Sequence, residues 1–398
     1  MSQASLASSA LAVPYSRIRE LGELAMRMDA AAGENDKVLR LYFGESNIPT
    51  PEFIKNAARK AMADGFTFYT ENAGLPSTRQ ALARYYEEIH GVALDYADRI
   101  VITTSGVQAL NVALRCLLNP GDEAIVLTPA WPNGSSIITM ANAAVRQIAQ
   151  PLAGDRYGID FDAIEDAINE RTRVILYTSP SNPLGWVASS QDQDRLLELT
   201  RRHNLWLMAD EVYERLYYGG ARLGEPVPTI LTKASPGDAV IVVQSFSKTW
   251  CMTGWRVGWI VSRPDLCEKA AQLNEFIVSH APSFAQRAAE TALLCGEQPL
   301  REMLVRLKEN RDFCIAELAK LPGVTVPRPE GAFYLFPKID GLADSFDFCK
   351  RLLLETKLGL APGVAFGAGG EGSVRICYAA ERPILEKAME RLRRFLQS

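Results

Sequence analysis

A chain of 398 residues has room for two or three domains and a large buried core. Forty-seven acidic residues against 43 basic ones leave a net charge of -4 with no basic tract, which argues against nucleic acid and anionic membrane as partners. No apolar run approaches the roughly 20 residues of a membrane helix; the seven cysteines include no Cys-x-x-Cys pair and the three histidines no metal-ligand spacing, so reduced thiols and no metal are expected. The Ser/Ala-rich opening, residues 2–13, precedes the first basic residue, Arg17, and so differs from a secretory signal. It reads as a loose or docking arm of a cytoplasmic protein. From Tyr15 a helix-like stretch leads to an extended run, Leu39 to Phe43, ended by Gly44. Ile48-Pro49-Thr50-Pro51 then breaks the chain before a helix from Glu52, with Phe53, Ile54, Ala57, Ala58 and Ala61 at helical spacing.

Between about residues 99 and 261, short apolar runs alternate with helical stretches: 100–102, 124–127, 174–177, 205–208, 240–243 and 257–261. Strands that are apolar on both faces belong in a mostly parallel sheet covered by helices on each side, hence an α/β domain. The helix from Gly106 to Leu118 stops at Asn119-Pro120-Gly121. Beyond Pro282 come two long helices, 284–295 and 300–321, separated by Pro299, then strand patterns at 324–326, 332–336 and 374–378 and a last helix from Arg382 to Leu396. These predict a smaller α+β unit completed by the N-terminal segment. Gly367-x-Gly369-x-x-Gly372 precedes a strand and opens no helix, so it reads as a turn.

Polar residues fall just after the predicted strands. Asp210 ends the 205–208 run, Asn182 follows 174–177, and Lys248 follows 240–243. Ligands of open α/β sheets bind beyond the carboxyl ends of the strands, where all three residues belong. Ser105-Gly106 adds the N-terminus of a helix, which suits a phosphate. Lys248 stands among Ser245, Ser247 and Arg256; desolvated and near other cations, its amine would lose its proton and attack a carbonyl carbon. A nucleophilic lysine beside a phosphate site suggests pyridoxal phosphate. Taken alone, the stretch also fits a solvated loop lysine, or the Ser-x-x-Lys nucleophile of penicillin-recognising enzymes, whose Ser-Asp-Asn and Lys-Thr-Gly partners are missing.

Ser179-Pro-Ser-Asn182-Pro, Asp210-Glu-Val-Tyr213, Ser245-Phe-Ser247-Lys248, Gly254-Trp-Arg256 and Val374-Arg375-Ile376 resemble, in order and spacing, the class I/II aminotransferases of the fold-type-I pyridoxal phosphate enzymes. The likeness runs from about Ser16 to the last helix. It implies a seven-stranded, mostly parallel sheet in a large domain, 47–285, an N-terminal arm and small-domain segment, 1–46, and a small α+β domain, 286–398.

By that resemblance Lys248 is the Schiff-base lysine and proton carrier, Asp210 pairs with the pyridine nitrogen, and Tyr213 and Asn182 donate to the ring 3-oxygen. Asp210 could instead cap a helix from Glu211, and Tyr213 and Asn182 could be a core tyrosine and a turn asparagine. Trp131 matches the aromatic that stacks on the ring, a buried core tryptophan being the other reading. Arg256, Ser245, Ser247 and the backbone of Ser105, Gly106 and Val107 would hold the phosphate, unless Arg256 serves a structural salt bridge. Tyr69 matches the tyrosine that reaches the neighbouring subunit's phosphate, which implies a homodimer with shared active sites.

Arg375, inside an apolar strand, needs a carboxylate, either a structural glutamate or the substrate α-carboxylate the family grips there. Gly44 matches the glycine whose backbone approaches the same group, while Asn47 replaces an acidic residue often found beside it. The expected reaction is transfer of an amino group from an L-amino acid to a 2-oxo acid in two half-reactions. Val107 stands where some aspartate-using relatives carry a lysine, which points to a neutral or aromatic donor. A carbon-sulfur β-lyase or cyclopropane-forming synthase on the same scaffold, and a Ser245/Lys248 acyl-hydrolase, are the rival readings.

Overall fold

Alternate residues of each central strand feed two separate cores. Ile100 and Ile102, Ile125 and Leu127, Ile175 and Tyr177, and Val240 and Val242 face one; Val101, Val126, Val174, Ile241 and Val243 face the other. A strand buried on both faces can be apolar throughout, and these runs are. The computed structural model describes residues 5–31, 33 and 37–397, so residues 2–4 of the expected arm lie outside the described residues.

The central sheet has seven strands: β1 (Ile100–Thr103), β2 (Glu123–Thr128), β3 (Ala144–Ala149), β4 (Thr172–Thr178), β5 (Trp206–Asp210), β6 (Val240–Ser245) and β7 (Gly258–Val261), in the order β1-β7-β6-β5-β4-β2-β3. Only β7 runs against its neighbours, pairing antiparallel with both β1 and β6. The remaining pairs are parallel. Sequence periodicity marks six of these strands; β3 is the one it leaves out. Val145 and Ile148 are only half-buried there and their neighbours are exposed, as befits an edge strand with one solvated side.

Helix α1 (Arg17–Ala31) and the two-residue strand Leu39–Arg40 bring the start of the chain to its end. Leu39 and Arg40 pair in parallel with Leu358 and Gly359, and α1 packs on that strand, on the strand at 361–362 and on the helix Ser345–Thr356. Val374–Cys377 lies between strands 334–335 and 361–362 in a small antiparallel sheet. The expected α+β unit is thus built from both chain ends. One boundary differs: Pro299 does not separate two helices but sits in the first turn of helix Glu297–Leu318. The N–H that proline lacks has no intrahelical acceptor in the first turn, so the helix loses nothing by it. The glycines at 367, 369 and 372 all take positive φ in a turn before Val374, as expected.

Among the described residues no helix is long and apolar enough to cross a membrane, and no group of His, Cys, Asp and Glu could hold a metal ion. All seven cysteines are free.

Candidate active site

Because six strands share one direction, their carboxyl ends share one edge, and the polar residues gather there. Asp210 closes β5 in register with Thr178 of β4, and Ser245 closes β6 in register with Gly258 at the start of β7. Gly258 also faces Thr103, the last residue of β1. Helix α2 (Gly106–Leu117) begins at this edge. Its N-cap, Ser105, accepts a hydrogen bond from Gln108 N at 3.3 Å and takes φ 104 and ψ 162, a conformation that costs a non-glycine residue about 1–3 kcal/mol. A Cβ on Gly258 would lie 2.5 Å from Ser105 C and 2.6 Å from Gly106 N, so the bare glycine is what lets the helix start press against the sheet.

Lys248 follows β6, and its Nζ donates to Gly44 O at 2.6 Å. The amine lies 5.8 Å from the ring centre of Tyr213 and 5.9 Å from that of Phe333. Burial pushes it down to about 8; Arg375 and Arg256 add to the effect, while Cys377 and Glu45 oppose it. The carboxylate of Asp210 is buried, accepts a hydrogen bond from Val212 N at 3.3 Å and, among the described residues, forms no ion pair. Burial raises its carboxyl to about 7, against the opposing pull of that hydrogen bond and of Lys248. Turns, not a helix, follow at residues 212–215, so Asp210 caps nothing.

Arg375 is 2% exposed. One of its terminal nitrogens donates to Asn182 Oδ1 at 2.8 Å, the other to Tyr42 O, and Nε has no hydrogen-bond partner among the described residues. Its guanidinium lies over Tyr334 and Phe366, and no acidic side chain among the described residues pairs with it, so the structural glutamate is not there. Arg256, with φ 55, donates to Thr253 O at 2.5 Å and likewise has no acidic partner. Ser245 Oγ donates to Ser247 Oγ at 2.8 Å. Neither hydroxyl bonds to Lys248, so the proton path a serine acyl-hydrolase would need is missing. Tyr213 and Tyr334 share a hydrogen bond of 2.8 Å between their hydroxyls, and burial pushes both phenols upward.

One cavity of about 470 Å³ collects these groups. Gly44, Gly106, Val107, Trp131, Asn182, Asp210, Tyr213, Ser245, Ser247, Lys248, Arg256 and Arg375 all line it. Trp131 is half-buried at its wall, not sealed in the core. Ser105 lies buried behind Gly106. Tyr69 is the exception: it is 89% exposed, edge-on to His280, and does not line this cavity. A second cavity of about 600 Å³ adjoins the first through Glu45, Ser247, Lys248, Thr253 and Arg256. Asn47 lines the second cavity only, with its Oδ1 accepting from Arg306.

Sequence reading misses Tyr334, Thr178, Ile18 and Arg19, which also line the first cavity. Tyr334 stands in an apolar run that reads as core. Thr178 directly follows the 174–177 run but belongs to no motif. Ile18 and Arg19 belong to α1, and no local pattern tells which helix face meets a site built by strands far along the chain.

The model of the family "Aminotransferase class I and II" matches residues 37–392. The chain belongs to that family. An aspartate aminotransferase of Pyrococcus horikoshii is 33% identical over 396 residues, covering 98% of this chain and 97% of that protein. The crystal structure of a Thermotoga maritima aspartate aminotransferase superposes with a TM-score of 0.90 at 31% identity, covering 99% of this chain and 100% of the other. That of an aromatic aminotransferase from P. horikoshii gives 0.86 at 30% identity, over 96% and 98%. The protein is thus a pyridoxal-phosphate-dependent aminotransferase of fold type I acting on amino acids and 2-oxo acids; the lyase, synthase and hydrolase readings are not favoured.

The residues present fit the aminotransferase cofactor. A buried carboxylate lacks a cation, a neutralisable amine stands beside it, and a guanidinium without an acidic partner lies near a helix N-terminus.

Proposed function

We propose that both half-reactions run in the 470 Å³ cavity, with Lys248 as Schiff-base lysine and proton carrier. Pyridoxal phosphate, when bound, supplies an aldehyde that holds the substrate nitrogen and a ring that accepts the electron pair released at the substrate α-carbon. Lys248 would hold that aldehyde and, once free, would take the α-proton; an amine titrating near 8 keeps a useful neutral fraction at ordinary pH. Asp210 is the partner of the ring nitrogen, whose positive charge relieves a carboxylate otherwise buried alone. Tyr213 and the amide nitrogen of Asn182 would donate to the ring 3-oxygen, and Trp131 would stack on the ring.

Arg256, Ser245, Ser247 and the backbone at 105–107 hold the phosphate. Arg375 and the backbone of Gly44 hold the substrate α-carboxylate. Tyr69, exposed in its own chain, serves the site of a second subunit, so the working form is a homodimer. The division into 1–46, 47–285 and 286–398 and a cytoplasmic location complete the reading; free cysteines throughout suit that compartment.

The observation that carries the proposal is a pair of complementary charges in one cavity: among the described residues the buried Asp210 forms no ion pair and the buried Arg375 has no acidic partner. Borohydride treatment of the loaded enzyme, followed by peptide mass spectrometry, should find the cofactor's mass on the peptide containing Lys248. Lys248→Ala should abolish the absorbance change that an amino donor alone produces. A label on any other lysine, or normal turnover by that variant, refutes the assignment.

For the donor we propose a neutral or aromatic side chain. Val107 places no cation on the cavity wall from α2, and Trp131 and Ile18 give that wall apolar surface. Rates with alanine, phenylalanine, glutamine and aspartate test this. Fastest turnover of aspartate overturns the donor class and leaves the reaction standing.

A further inference from the structure

Tyr213 reaches the cavity from a turn, residues 211–215, whose charged side chains are buried elsewhere. Glu211, Glu214 and Arg215 are each 1–3% exposed, and none of them lines the cavity. Glu211 Oε1 accepts from Ile230 N at 2.9 Å, and Arg215 donates through two nitrogens to Glu297 at 2.7 and 2.9 Å. Glu214 is held by a distant element, the helix Pro76–His90. Its Oε1 accepts from the Tyr85 hydroxyl, and its Oε2 lies 2.7 Å from His90 Nε2. The two side chains of that ion pair are 1% and 3% exposed. The rings of Tyr85 and Tyr86 pack on the imidazole, and Glu211 and Arg215 are the other charged groups close enough to act on it.

Burial opposes the charge on each partner, and their mutual attraction outweighs it: His90 is held above its ordinary value and Glu214 below its own. His90 is also the last residue of its helix, where a cation meets the free carbonyl ends. A buried ion pair adds little net stability, because desolvation offsets the attraction, yet separating the partners strands a charge. The consequence is geometric. Glu214 is pinned to His90, and Tyr213 is joined to Glu214 by one peptide bond. The backbone carries the constraint onward, with Glu214 N donating to Glu211 O at 2.9 Å and Leu216 N to Tyr213 O at 2.8 Å.

We propose that His90, acting through Glu214, is a positioning residue for the transamination: the buried pair locks the 211–215 turn so that the Tyr213 hydroxyl stays aimed at the ring 3-oxygen of the cofactor. The inference rests on the reading above, in which Tyr213 is a donor to that oxygen. His90 itself does not line the cavity. A hydrogen bond to the 3-oxygen favours the form in which its negative charge is not neutralised, so it lowers the pH midpoint of the absorbance change of the loaded enzyme. Any change that lets Tyr213 drift should raise that midpoint.

The test is a pH titration of the absorbance of loaded wild type, Tyr213→Phe, His90→Phe and the double variant, with thermal unfolding measured alongside. Tyr213→Phe should raise the midpoint by about one pH unit or more, the worth of a hydrogen bond to a charged oxygen. His90→Phe should raise it by about half a unit or more in the wild-type background and add nothing in the Tyr213→Phe background, because residues acting through one contact are not additive. His90→Gln, which keeps a neutral donor toward Glu214, should recover part of the shift. Glu214→Gln keeps the shape and the acceptor for Tyr85 and should reproduce the rise, so it carries the test where His90→Phe does not fold. A role in core packing alone would lower the unfolding temperature and leave the midpoint in place, or move it equally in both backgrounds. Either result overturns the proposal. Failure of the underlying reading is a different result: Tyr213→Phe then leaves the midpoint unmoved, and the role of His90 falls with that of Tyr213.

Discussion

Asp210 and Lys248 are both driven toward neutrality by burial, and for the carboxylate the sign of the effect can be read from stability. Its pKa rises from 3.8 to about 7 in the cofactor-free chain. Between those values the folded protein holds a proton that the unfolded one has released. The stability tied to Asp210 is therefore fully present below about pH 4 and is lost as pH rises through 7. Asp210→Asn keeps the shape and removes the titration. Cofactor-free Asp210→Asn should be more stable than wild type at pH 8 by on the order of 1–3 kcal/mol, with the gap closing toward pH 4. Urea unfolding at several pH values measures it, and a gap independent of pH would contradict the argument. Loaded with cofactor, the order should reverse, because the variant offers no charge to the ring nitrogen.

At the scale of elements, the site depends on how closely the start of α2 approaches β6 and β7. Gly258→Ala sets a methyl group against three backbone atoms, Ser105 C, Gly106 N and Gln244 O, none of which can rotate away. The change should destabilise the fold by about 1–3 kcal/mol and weaken phosphate affinity together. Gly237→Ala, where a Cβ meets nothing within 4 Å, is the control and should leave cofactor affinity unaltered. Much of this arrangement was legible beforehand. Lys248, Asp210 and Asn182 follow apolar runs whose composition marks them as central strands, so strand ends and ligand edge could be named together. What was hidden lacks a local cause. β3 alternates weakly because one side is solvated. Tyr334 is told from a core tyrosine by its hydroxyl contact with Tyr213 and by the Arg375 guanidinium over its ring, neither of which is local in sequence, and Arg19 becomes part of the cavity wall through the docking of α1.

For the whole molecule, the exposed Tyr69 stands with Phe68 and Phe276 among the most exposed large apolar side chains, 81–89% exposed. If Tyr69 completes the neighbour's site, two crippled chains should repair each other. Mixing Lys248→Ala with Tyr69→Ala under conditions that exchange subunits gives hybrid dimers, each with one intact site and one doubly damaged one. Activity should recover toward about a quarter of the wild-type value at equal mixing. A mixture no more active than the average of its parents would place Tyr69 and Lys248 in one chain's site, or in none.

The ladder joining Leu39 and Arg40 to Leu358 and Gly359 also sets a timetable. On the ribosome, the first of these strands emerges long before its mate is made, whereas every strand of the central sheet has been synthesised by Val261. The sheet is thus able to assemble while the opening segment waits, its apolar Val38 and Leu41 still uncovered. Ribosome-bound chains halted just short of Leu358 should carry a protease-resistant middle and a cleavable beginning, and synthesis and release of the remainder should protect that beginning in a single late event.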